Sequence, residues 1–270
     1  MYLSFFGLNE FPFNMTPDPR FFFQSRHHKE ALSCLLYGID SRCGFIQITG
    51  EIGAGKTTLC RTLLSRLGSQ IHSSLVFNPR LSELELMKAI VEDFGVKPKG
   101  RTRKDYFDAL NRFLLAETEK GFNMIVIIDE AQLLSIRALE QVRLLSNMET
   151  PTKKLLQIIL VGQPELRLYL DRPSLTQLRQ RITIRYHLPA LSRLDVAHYI
   201  SHRMQVAGGG DGDFFSGEAV DLIYQLSNGV PRLINVLADR ALMAAYTKSS
   251  QTVTPSMVEC AQMDLEGAYA

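Results

Sequence analysis

Apolar residues recur along this chain in two rhythms. Unbroken runs at FIQIT (45–49), SLVFN (74–78), MIVII (124–128) and LLQIILV (155–161) have the length of buried strands. ITIRYHL (182–188) alternates and predicts a last strand. Between these runs the spacing changes to three and four. Ala31, Leu32, Leu35 and Leu36 mark one helix. Leu59, Leu63, Leu64 and Leu67 mark another over 56–68, stopped by Gly68. Ser82 and Glu85 form a capping box for a helix to about Phe94. Tyr106, Phe107, Leu110, Phe113 and Leu114 stripe a helix over 103–119, and Ser135 caps one to about Met148. ELRLYLD (165–171) and SLTQLRQ (174–180) read as short helices. Strands separated by helices predict a parallel sheet covered on both faces, a three-layer αβα core.

After Pro189 the strand rhythm ends. Residues 192–207, 216–227, 231–248 and 255–265 all read as helices, with a glycine-rich loop at 207–213. The expected division is 1–190 as the αβα core with an aromatic N-terminal segment, and 191–270 as a small all-helical lid. That N-terminal segment, residues 1–25 with FFGLNEFPFNMTPDPRFFF at its centre, has too many prolines for a regular helix and too many aromatics for a free tail. It predicts an irregular strap on a domain surface.

Composition adds exclusions. No run approaches the ~18–20 apolar residues of a membrane span. The start has no basic region or small-residue cleavage site, and reads as no leader peptide. Cys34, Cys43, Cys60 and Cys260 lack disulfide or zinc spacing, and read as small buried apolar residues of a protein in a reducing cytosol. The net charge is +2, unevenly spread: residues 191–270 carry five Lys/Arg against nine Asp/Glu. Part of the basic excess elsewhere sits in KPKGRTRK (97–104).

The chemistry begins at GEIGAGKT (50–57), a G-x-x-x-x-G-K-T loop between a predicted strand and a predicted helix. Gly50, Gly53 and Gly55, with Glu51, Ile52 and Ala54, let backbone N–H groups curl around phosphate oxygens. The helix N-terminus adds partial positive charge. Lys56 is placed to reach the β- and γ-phosphates of ATP, Thr57 to bind Mg²⁺, and Thr58 to sit near the α-phosphate. MIVII then ends in Asp129 and Glu130. Adjacent acids repel unless positive charge is shared between them. In a P-loop protein Asp129 holds the Mg²⁺ hydration shell, and Glu130 polarises the water that attacks the γ-phosphate.

The order of phosphate-loop strand, Asp-Glu strand, polar-ended strand and helical lid resembles the AAA+ ATPases. The resemblance implies that Gln163, ending ILVGQ, is the sensor 1 residue. It implies that Arg232 of GVPRLIN, a cation in the first turn of a helix, is the sensor 2 arginine. It places arginine fingers in LRQRI (178–182), with Arg179 and Arg181 as candidates and Arg185 a weaker one. ATP hydrolysis would then need a neighbouring subunit, in a nucleotide-dependent oligomer.

Longer phrases are more specific. YLSFFGLNEFPFNMTPDPRFFFQSRHHKEAL, GFIQITGEIGAGKTTLCRTLL, IIDEAQLL, LLSNMET, LLQIILVGQPEL, LRQRI and GVPRLIN resemble the ExeA/GspA family of AAA+ ATPases over nearly the whole chain. That resemblance implies a cytoplasmic ATPase domain, at the inner membrane, that helps assemble an envelope machine such as type II secretion, and acts with a membrane partner. Family members commonly continue into a transmembrane helix and a periplasmic peptidoglycan-binding domain. With neither present, the chain is expected to be the ATPase portion or a form without the anchor. The strap either packs on the core or helps enclose the adenine. The alternative resemblance is to DNA-assembling transposition regulators of the TnsC/TniB kind. For that job 97–104 would grip phosphates; otherwise it is a solvated loop.

Overall fold

A computed structural model describes all residues except 1, 17, 78, 152, 211 and 268–270. Pro17 of the strap, Asn78 of the strand expected at 74–78 and Asp211 of the glycine-rich loop therefore lie outside the described residues. In chain order the elements are α1 (Tyr2–Phe5), α2 (Arg26–Asp40), β1 (Phe45–Gly50), α3 (Lys56–Arg66), β2 (Ile71–Val76), α4 (Glu83–Asp93), α5 (Arg103–Glu119) and β3 (Asn123–Ile128). There follow α6 (Ile136–Leu145), β4 (Gln157–Gly162), α7 (Glu165–Leu170), α8 (Thr176–Arg181), β5 (Ile182–Leu188), α9 (Arg193–Val206), α10 (Gly217–Ser227), α11 (Pro231–Thr247) and α12 (Pro255–Gly267). Both predicted capping boxes or caps are made: Ser82 with Glu85 at α4, and Ser135 at α6. A further capping box, Thr102 with Asp105, starts α5.

Two compact units emerge, and neither is continuous in sequence. One comprises His28–Gly50 and Leu59–Leu188. Its sheet has the order β2-β3-β4-β1-β5, every pair parallel. β1 and β4 are buried along their whole length, which is why their sequences show no alternation. β5 lies at the edge, and its alternate residues meet solvent. Pleating divides the apolar residues between two faces. Phe45, Val126, Ile128, Ile158 and Leu160 join Leu86, Ile90, Leu110 and Leu139 from α4, α5 and α6. On the opposite face Gly38 of α2 lies so close to Ile46 and Ile184 that an added Cβ would come within 2.5 and 2.8 Å of their side chains.

β2 begins at Ile71, three residues before its predicted start. Ser73 and Ser74 break the apolar run there, although Ser74 is fully buried. α6 ends at Leu145, short of Met148, because Ser146 turns its hydroxyl back onto the Arg143 carbonyl.

The other unit groups Met1–His27, Glu51–Thr58 and Pro189–Ala270. The strap is thus part of the helical unit's contacts, and it contains a four-residue helix and a 3₁₀ turn at Pro19–Phe21. Tyr2, Phe6, Phe13 and Phe21 are buried among side chains of α9, α10, α11 and α12. Arg203 of α9, 6% exposed, ties the strap down. Its Nε donates to the Pro12 carbonyl at 2.5 Å and its Nη2 to that of Asn14 at 3.0 Å. Its guanidinium lies 4.9 Å from the Phe21 ring centre. The four cysteines are free, but only Cys60 is buried and Cys260 is exposed. Cys260 sits on the outer side of α12, where a thiol needs no apolar neighbours, so the expectation of four buried cysteines fails there.

Candidate functional site

The phosphate loop and the acids fall in different compact units. β1 ends at Gly50, where an added Cβ would lie 2.7 Å from the Leu188 carbonyl oxygen. The chain then enters the loop. Gly53 and Gly55 have φ of +80° and +92°, the left-handed region that L side chains rarely adopt. Ala54 is buried, and its N–H donates to the Glu51 carbonyl at 3.1 Å. Lys56 is 5% exposed, and its Nζ donates back to the same carbonyl at 2.9 Å. Thr57 and Thr58 follow in the first turn of α3, which contains no acid. Glu51 and Ile52 are exposed at the loop's outer bend. A buried ammonium, two left-handed glycines and an acid-free helix start suit an anion and nothing cationic.

Arg232 belongs to the same unit as this loop. α11 opens with Pro231 at its first position, and Val230 supplies no side-chain cap. The Arg232 N–H donates instead to the Gly53 carbonyl at 3.3 Å. Arg232 Cβ comes so close that a Cβ on Gly53 would lie 2.5 Å from it. The turn that delivers it is equally tight. Asn228 is left-handed at φ 48°, and a Cβ on Gly229 would lie 2.0 Å from the Leu191 carbonyl oxygen. The side chain of Arg232 is exposed.

In the sheet unit the C-terminal ends of β3 and β4 are neighbours. Asp129, 2% exposed, follows β3 and keeps the ladder for one more step, its N–H donating to the Val76 carbonyl at 2.9 Å. Glu130 adopts φ 52° and ψ 36°, a left-handed conformation unusual for a side chain with a Cβ. Its N–H donates to Asp129 Oδ1 at 2.9 Å. Its carboxylate is held by two amides. Gln132 Nε2 donates to Glu130 Oε2 at 2.5 Å, and Gln163 Nε2 donates to the same oxygen at 3.1 Å. Gln163 N–H closes the group by donating to Gln132 Oε1 at 3.0 Å. A Cβ on Gly162 would lie 2.6 Å from that Oε1, so glycine there makes room for the amide.

The structure therefore brings Asp129, Glu130 and Gln163 together, and it adds Gln132, which pattern reading did not single out. The signal was present in the sequence: a glutamine two residues beyond the acid pair, followed by a turn. The arginines of 178–185 lie apart from this group in their bonding. Arg179 pairs with Asp171 at 3.1 Å. Arg181 donates to Ser146 Oγ at 2.9 Å and to Asn147 Oδ1. Arg185 donates to the Arg179 carbonyl at 2.7 Å. The basic side chains of 97–104 are exposed in the α4–α5 loop and the first turn of α5, where Arg103 is paired with Glu83.

A five-stranded parallel sheet whose β1 runs into a G-x-x-x-x-G-K-T loop, with an acid pair after β3 and helices after β5, defines a P-loop NTPase of the AAA+ class. Residues 39–170 match the AAA domain family. Over 268 residues, 99% of its length, the chain is 44% identical to General secretion pathway protein A of Aeromonas hydrophila, of which it spans 49%. Over that shared part the chain is similar to the ExeA/GspA-type AAA+ ATPases. The fold is shared more widely. The Aeropyrum pernix ORC2 protein, in ADPNP-ADP complexes, has a TM-score of 0.69 at 19% identity over 94% of this chain and 71% of that one. Cdc6p of Pyrobaculum aerophilum gives 0.70 at 15% identity, over 94% of this chain and 70% of that one. The RuvB branch migration motor of Thermotoga maritima gives 0.58 at 19%, over 88% and 68%. Among the described residues no helix is long and apolar enough to cross a membrane.

Proposed function

We propose that this chain binds and hydrolyses ATP, and that nucleotide-dependent self-association lets it help assemble a bacterial cell-envelope machine of the general secretion kind. One observation carries the nucleotide reading: a loop with left-handed Gly53 and Gly55 and an ammonium buried at Lys56, followed by a helix start without acids. A triphosphate is the anion that such a cradle of backbone N–H groups, beside a lysine and a helix N-terminus, fits best. The envelope reading is supported by the identity to General secretion pathway protein A. An inner-membrane partner is part of the same proposal.

In this reading the loop N–H groups and Lys56 hold the β- and γ-phosphates, with Thr58 near the α-phosphate. Thr57 and Asp129 are the residues that would hold Mg²⁺, which when bound draws charge from the phosphate oxygens. The donor set fits: one hydroxyl and one carboxylate, both hard oxygens. Glu130 orients and deprotonates the attacking water. Gln163, as sensor 1, donates to Glu130 before substrate arrives and turns toward the γ-phosphate afterwards. Arg232, as sensor 2, answers the same phosphate from α11. Arg179 or Arg181 reaches a neighbouring subunit's nucleotide after leaving its present partner, so turnover should rise with protein concentration. In this scheme the helices of 191–270 serve as the lid and the αβα part as the core.

Calorimetry and phosphate release test this directly. ADP at a hundredfold excess over its Kd should stabilise the fold by about 2.7 kcal/mol, and Lys56→Ala should remove that gain. Glu130→Gln should keep nucleotide binding and lose turnover by about 10²-fold or more. Wild-type behaviour from both variants would overturn the proposal. Retarded DNA in a gel shift at moderate salt would favour the DNA-assembling alternative over the envelope role.

A further inference from the structure

On the α7 and α8 side of β1 and β5 the sheet unit has a polar cavity of about 200 Å³. Register places its floor. Gln47 pairs with Arg185 and Thr49 with His187 across the two parallel strands, so all four side chains project from one face. Arg167 and Asp171 line it from α7 and the turn after it, and Arg179 from α8. His187 Nδ1 and Thr49 Oγ1 lie 3.1 Å apart.

The lining is out of balance in charge. Three guanidinium groups share the cavity with one carboxylate, and that carboxylate is already paired with Arg179. Arg167 and Arg185 leave an excess of two positive charges. A second imbalance is in hydrogen bonding. Gln47 is 4% exposed, lines the cavity, and its side-chain Nε2 has no hydrogen-bond partner. A buried amide donor without an acceptor is rare in folded proteins. Three of its neighbours around the cavity are guanidinium groups, which can only donate.

Both imbalances are met by the same kind of guest. It must accept several hydrogen bonds, carry close to two negative charges and be small. The cavity has room for roughly six waters. It is smaller than the ~300 Å³ at which sites for drug-sized molecules begin. Guanidinium forks match the oxygen edges of a tetrahedral oxyanion.

We propose that this cavity binds a small dianionic oxyanion of the phosphate class, either inorganic phosphate or the phosphate of a small monoester, with Arg167, Arg185 and Gln47 as its donors. The site is separate from the phosphate loop and does not depend on ATP hydrolysis. Occupancy would tie β5 to α7 and α8, and would add a neutralising charge beside Arg179.

The test uses the full chain carrying Lys56→Ala, so that the phosphate loop does not dominate the signal. Titration with inorganic phosphate, followed by ³¹P line width and calorimetry, should show one saturable site per chain. Arg185→Gln and Arg167→Gln alter exposed side chains, and each should weaken it about tenfold. Gln47→Met preserves volume and should weaken it too, with an unchanged melting temperature confirming the fold. Glycerol phosphate competing as well as free phosphate assigns the site to monoesters, and failing to compete assigns it to the free ion. The proposal is overturned if phosphate does not saturate, if neither arginine variant changes its affinity, or if acetate binds as tightly. ADP binding by the wild-type chain is read in parallel, so loss of this site and loss of the ATPase reading are separate results.

Discussion

At the scale of single residues, Glu130 is held by both its backbone and its side chain. Its backbone is left-handed, a conformation costing of order 1 kcal/mol or more for a residue with a Cβ. Two glutamine amides then converge on one carboxylate oxygen. A carboxylate so held cannot swing freely, which under the proposed mechanism would steady its other oxygen for the attacking water. Under that mechanism Gln132 would be a positioning residue. Gln132→Ala should lower turnover about tenfold, equivalent to ~1.4 kcal/mol in the barrier, while ADP affinity stays within twofold of wild type. Gln132→Glu should do worse, since it sets a second acid against Glu130. Steady-state phosphate release beside nucleotide calorimetry separates this role from a structural one, which would lower both quantities together. The acid pair was legible as a sharp change from apolar run to adjacent carboxylates. The glutamines were less so, because an amide after a turn has no periodicity, and only the β3–β4 pairing brings residues 132 and 163 together.

At the scale of elements, the strap and α9 form a single piece of packing. Arg203 serves two strap carbonyls and also donates to the Tyr199 hydroxyl at 2.8 Å. Tyr199 in turn donates to Asn235 Oδ1 on α11 at 2.7 Å. Arg203→Ala leaves those acceptors buried without a donor. It should cost about 3 kcal/mol in urea unfolding and open the strap to proteolysis near residues 12–16. Next to it, His202 Nε2 is buried without a partner, and the ring lies 5.9 Å from that of Phe23. Burial first, and the Arg203 charge second, lower its pKa below the ordinary histidine value, against a weaker upward pull from the Arg20 backbone. The unfolded chain therefore takes up the proton first. Stability from this group is complete above about pH 6.5 and is lost as pH falls from there through the lowered folded value. His202→Gln should flatten the fall in stability below pH 6.5, measured as the difference between the two chains in urea titrations at each pH. The helical stripes of this unit were readable from sequence. The strap's destination was not, because its partners lie nearly 200 residues away and aromatic side chains carry no address.

At the scale of the whole molecule, strand order explains what composition could not. β3, β4 and β1 lie inside the sheet and read as buried runs, whereas β2 and β5 lie at its edges and read as shorter or alternating. The phosphate loop was legible because glycine and lysine spacing is itself the chemistry. The basic cavity was not, since Arg167, Arg179 and Arg185 meet only through the β1–β5 register and the turns after β4. Cys260 is exposed on α12, Cys60 is buried, and Cys34 and Cys43 are half-buried. A maleimide dye at neutral pH should therefore react first at residue 260, with no engineered attachment point. Its anisotropy would report tumbling in solution, and the proposed ATP-dependent association predicts a rise that stays flat in Lys56→Ala. The unaltered protein thus carries its own place for a reporter of assembly.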